Sequence, residues 1–135
     1  MDIEIFYLGG VKFEAAARGH RVLCDQPVTN GGADEGMTPP EFLLVSLGTC
    51  AGFYAAQYLK TRSLPADGLR IKVTADKATQ PARVASFLIE VTAPGLEAQH
   101  QAGILRAVKS CLIHNTLLNT PAIDIVLNPP VAAAA

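Results

Sequence analysis

The sequence predicts an α+β domain in which antiparallel sheets pack around one long apolar helix. Three observations carry this. The predicted elements run as strands, helix, hairpin, helix, strand, segregated rather than alternating strand by helix, which favours antiparallel pairing. Two pairs of strand-like runs are joined by short turn-forming stretches, the mark of hairpins. The run Phe42–Leu59 contains no charged residue at all, so the helix it forms has no face designed for water.

Taken in order, "IEIFYL" (Ile3–Leu8) and "VKFEAA" (Val11–Ala16) flank Gly9 and Gly10 and predict a first hairpin. "HRVLC" (His20–Cys24) predicts a third strand. The stretch Asp25–Pro40 is dense in Gly, Pro, Asn and Asp and predicts a loop. Thr38 is a suitable N-cap, Pro39 and Pro40 suit a first helical turn, and Glu41 adds a carboxylate where the helix dipole favours one. Gly68–Lys77 and Arg83–Thr92 alternate apolar and polar residues and form a second hairpin across "ATQPA". A second helix starts near Leu96, with Ile104, Val108, Cys111 and Leu112 on one face. A short segment, Ile113–Asn119, leads to a last predicted strand, Ala122–Leu127, and Val131–Ala135 reads as a frayed tail.

At 135 residues, the chain is expected to form a single domain, residues 1–135. Half of its residues are hydrophobic and 17% are charged, with a formal charge of −1. No basic patch calls for nucleic acid or an anionic membrane. Phe42–Leu59 just reaches the length of a membrane span. Ser46, Gly48, Thr49, Gly52 and Gln57 dilute it, and no topology signal accompanies it, so a core helix is the better reading. A single sheet covers one side of such a helix. The remaining side predicts a homodimer, with Gly48 and Gly52 expected to admit a second backbone closely.

Three cysteines without CxxC spacing exclude a secreted disulfide framework, and "MDIEIFYLGG" has no signal-peptide pattern, so the cytoplasm is the expected compartment. Cys50 lies mid-helix and Cys111 on an apolar face. Both point inward, and two inward thiols on separate helices are able to meet. The bland reading, a free cysteine as a small core hydrophobe, stands beside this. Cys24 ends a strand beside a loop and reads as incidental. His20 and Cys24 match no common zinc spacing. Arg18 and Arg21, near Glu14, are the candidate cations for a thiolate, and His114 follows Cys111 by three residues.

"TPPEFLLVSLGTC" (Thr38–Cys50) resembles the helix-opening motif of the OsmC/Ohr family, the osmotically induced and organic hydroperoxide resistance proteins. "AVKSCLIHNTLL" (Ala107–Leu118) resembles the segment around the family's second cysteine. The resemblance covers nearly the whole chain and implies an intertwined homodimer with central helices back to back. It implies reduction of small organic hydroperoxides, with Cys50 as the peroxidatic and Cys111 as the resolving thiol. It further implies Arg18, or else Arg21, as the partnering arginine, and an external, lipoyl-type dithiol as reductant with no bound cofactor. The family's functional Glu position holds Pro40 here, and Glu41 matches only the second acidic position. The alternative expectation is a non-catalytic relative that binds an apolar or electrophilic small molecule at the dimer interface.

Overall fold

A computed structural model describes residues 1–130, and the expected tail Val131–Ala135 lies outside the described residues. The fold is α+β. Strands β1 (Glu4–Gly9), β2 (Lys12–Ala17) and β3 (His20–Cys24) form an antiparallel sheet in the order β1-β2-β3. A loop with a short 3₁₀ turn at Val28–Asn30 leads to helix α1 (Pro39–Thr61). Strands β4 (Arg70–Ala78) and β5 (Arg83–Thr92) pair as a separate antiparallel hairpin, followed by α2 (Ala98–Lys109) and α3 (Leu112–Leu118).

The core lies between α1, α2 and the β4–β5 hairpin. It gathers Ala51, Ala55, Tyr58 and Leu59 of α1 with Ile104 and Val108 of α2. Full burial of each Leu, Ile or Val side chain contributes roughly 1.5–3 kcal/mol. By length and composition α1 resembles a membrane span, but this packed face marks it as a core helix. Its start is fixed by Glu41, which accepts hydrogen bonds from the Thr38 backbone N–H (2.7 Å) and hydroxyl (2.9 Å). The loop before it is organised by Asp25, whose buried carboxylate accepts from the N–H groups of Gln26, Ala33 and Glu35.

Three expectations change. Gly48 and Gly52 do not face outward: a Cβ at each would meet Val73 at 3.0 Å and Ile71 at 3.3 Å. The glycines admit the chain's own β4, because the sheet leans directly on α1. Cys111 is not on α2, which ends at Lys109; it is the N-cap of α3. The segment Ala122–Leu127 forms no strand. A strand needs a neighbour to take its backbone hydrogen bonds, and this segment has none among the described residues. Its alternating apolar residues Ile123 and Ile125 are 80% and 92% exposed. Within one chain, the β1-β2-β3 sheet packs chiefly within itself. One face presents Ile5, Tyr7, Phe13 and Val22, which remain substantially exposed.

Candidate functional site

Two elements bring the site together. Cys50 sits half-buried on α1, and Cys111 is fully buried at the α2–α3 junction. A break between the two helices turns Cys111 out of α2's register and back towards α1, where its thiol lies against that of Cys50. Both are free thiols. The Cys111 sulfur also accepts from the His114 backbone N–H at 3.4 Å and so caps the first turn of α3.

The environment treats the two thiols oppositely. For Cys50, burial pushes the thiol up. The hydrogen bond with Cys111 and the backbone N–H groups of Ile113 and Leu112 outweigh this, and the net shift is downward. For Cys111, burial and the hydrogen bond with Cys50 both push upward, and the N–H groups of His114 and Ile113 offset them only in part. Donors aimed at a sulfur stabilise its thiolate; donating to a neighbour stabilises the thiol. The first proton therefore leaves Cys50, and Cys111 retains its proton as donor to the thiolate. Thiolates, not thiols, attack electrophiles. The pair is thus one nucleophile with a second thiol in contact.

The other expected site residues are not at the pair. Glu41 is engaged with Thr38 at the start of α1, which holds its carboxyl below the usual range. It lies nine residues, two and a half helical turns, before Cys50. Arg18 occupies the β2–β3 turn with φ +50° and forms no ion pair among the described residues. Arg21 is ion-paired with Glu14. Neither arginine contributes to the lowering at Cys50, which rests on hydrogen bonds. Cys24 pairs with Phe13 in the N-terminal sheet, away from the other two thiols. His114 reaches Cys111 through its backbone, and its ring Nδ1 is buried without a partner among the described residues. Sequence reasoning missed the N–H groups of Leu112 and Ile113. Backbone donors carry no residue-type signal, and the break at Ser110 that exposes them has none of the usual Gly or Pro punctuation.

Residues 31–126 match the family model described as OsmC-like protein. No curated protein matches the chain in sequence. Among solved structures, the chain is similar to a Psychrobacter arcticus protein designated an osmotic stress induced and detoxification response protein. The two are 22% identical with a TM-score of 0.77 over 84% of this chain and 85% of that one. An OsmC-like protein from Mycoplasma pneumoniae is 21% identical, with a TM-score of 0.73 over 88% and 87%. An organic hydroperoxide resistance protein from Elizabethkingia anophelis is 16% identical, with a TM-score of 0.61 over 89% and 90%. At these identities the likeness is one of fold.

Proposed function

Because the chain belongs to the OsmC-like family and brings two oppositely poised thiols into contact, we propose that it reduces organic hydroperoxides through Cys50 and Cys111. The Cys50 thiolate attacks the outer oxygen of ROOH. The O–O bond breaks, the alkoxide leaves and takes a proton as ROH, and Cys50 becomes a sulfenic acid. Cys111 then attacks that sulfur. An S–S bond forms, and the hydroxyl leaves as water with the Cys111 proton. A small dithiol, of lipoyl type, restores both thiols by exchange and is itself oxidised to a cyclic disulfide. The reducing cytoplasm suits this cycle.

The single observation that carries the reading is the meeting of Cys50 on α1 with Cys111 at the N-cap of α3, with the two thiols shifted in opposite directions. A pair of inert core cysteines would have both thiols raised by burial. Glu41 has no direct role in this scheme beyond starting α1. A cation for the thiolate would come from a second copy, with Arg18 first among the candidates because it carries no ion pair among the described residues, and Arg21 second because Glu14 already holds it. The proposed homodimer rests on the uncovered apolar face of the N-terminal sheet, where Ile5 and Tyr7 are 58% and 64% exposed, and on Phe53 of α1 at 59%. Patches of that kind mark protein interfaces.

Treatment with tert-butyl hydroperoxide tests the scheme. The expected product is a Cys50–Cys111 disulfide, seen as a loss of two hydrogens and one linked peptide pair. Cys111→Ser is expected to stop at sulfenic acid and then over-oxidise at Cys50. Recovery of free thiols after peroxide, or reaction of Cys111 without Cys50, would overturn it. The second reading is a non-catalytic protein that binds an apolar or electrophilic small molecule. It is favoured by Pro40 at the acidic position and by the absence of a cation at Cys50 among the described residues.

A further inference from the structure

A cavity of about 550 Å³ lies beside the thiol pair but is lined by neither thiol. Its walls come from Leu47 of α1, Phe87 of β5, Leu105 and Val108 of α2, and Leu117 of α3. Three polar residues join this lining: Ser86 of β5, whose hydroxyl donates to Asp76 at 3.2 Å, and Lys109 and His114, which flank the α2–α3 junction from either side. Lys109 forms no ion pair among the described residues. The His114 ring lines the cavity, and its Nδ1 atom is buried with no hydrogen-bond partner among the described residues. The volume falls within the roughly 300–1,000 Å³ of small-molecule sites, and an apolar wall with a few polar groups at one end is the usual pattern of such sites.

We propose that this cavity is a binding site for a small amphipathic carboxylate: an aliphatic or aromatic body against Leu47, Phe87 and Leu117, with the head group at the α2–α3 junction. The carboxylate accepts a hydrogen bond from the His114 ring and pairs with Lys109. A ring able to donate a hydrogen bond and an ammonium group at one end of the cavity select an anionic head over a neutral or purely apolar ligand. The site is separate from the proposed peroxidase centre, and the ligand undergoes no reaction in it.

Calorimetric titration of the full chain with octanoate, and with octanol as the neutral probe, tests this. Saturable binding of one octanoate per chain is expected, at least tenfold tighter than octanol. NMR is expected to show a shift of the His114 ring resonances on saturation. His114→Phe and Lys109→Gln should each weaken octanoate about tenfold or more, and Lys109→Gln should leave octanol unchanged. Leu117→Trp, which fills the cavity from an α3 position outside the thiol pair, should abolish binding while peroxide consumption stays within about twofold. Cys50→Ser should bind octanoate as the parent does, whatever becomes of the peroxidase scheme. Absence of saturable binding, or binding that His114→Phe and Leu117→Trp leave unchanged, overturns the proposal. So does loss of binding in Cys50→Ser, which would move the ligand to the thiols.

Discussion

Cys50 and Cys111 have the same side chain, and only their donors differ. Cys50 receives from Cys111, Ile113 and Leu112; Cys111 donates to Cys50 and receives less. Alkylation by iodoacetamide followed by mass spectrometry should therefore modify Cys50 with a half-maximal pH below that of an ordinary thiol, and Cys111 with one above it. Raising the pH through the lower value populates the Cys50 thiolate; lowering it restores the inert thiol. Cys111→Ala removes one donor and should move the Cys50 profile upward. Coincident profiles for the two thiols would contradict the geometry. Asp25 poses a second test at this scale. The N–H groups of Glu35 and Gln26, and less strongly that of Ala33, hold its carboxyl below the usual range against the effect of burial. A carboxyl with a depressed folded value contributes stability that is full above its unfolded value, about 3.9, and is lost as pH falls through the folded value. Asp25→Asn should lower the melting temperature at neutral pH and flatten its dependence on pH in that acid range.

Two helices meet at Gly103. A Cβ there would lie 2.2 Å from the Tyr58 hydroxyl oxygen and 2.7 Å from its ring. Tyr58 cannot simply swing aside, because its hydroxyl is 3.0 Å from His100 Nδ1 and Arg62 stacks on its ring at 3.8 Å. Gly103→Ala gains about 1 kcal/mol of helix propensity. Overpacking costs about 1–3 kcal/mol, and loss of the Tyr58–His100 hydrogen bond about 0.5–1.5 kcal/mol more. The net expectation is a less stable protein, measured by urea unfolding, although the substitution favours the isolated helix. A gain in stability would mean that α1 and α2 separate at little cost. At Gly52 the same reasoning concerns a sheet and a helix. Gly52→Asp sets a carboxylate against the apolar Ile71 side chain of β4, and soluble folded protein is not expected.

As a whole, the molecule has one core and several uncovered apolar surfaces: a face of the N-terminal sheet, Phe53 on α1, and Ile123 and Ile125 near the C-terminus. Light scattering is expected to give a dimer that persists at micromolar concentration. Ile5→Glu should shift it towards monomer by charging the sheet face without touching the α1–α2 core. A folded monomer in the parent protein would remove the proposed second source of a cation for Cys50.

Composition and order determined a good deal by themselves. The segregated strands, the Gly9–Gly10 hairpin and the Thr38–Glu41 helix start are local: propensity and capping act between residues a few positions apart, so the sequence specifies them directly. The uncharged run Phe42–Leu59 likewise announced a core helix. Other features depended on which surfaces meet. Gly48 and Gly52 read as a close-approach stripe, but sequence does not state what approaches, and β4 does. The Ala122–Leu127 run has a strand's alternation yet no strand, since a ladder is made by two partners and the segment supplies one. The opposite poise of Cys50 and Cys111 was beyond the sequence for the same reason. It is set by backbone N–H groups that every residue carries, and only the packing of α3's first turn against α1 selects which of them reach the sulfur.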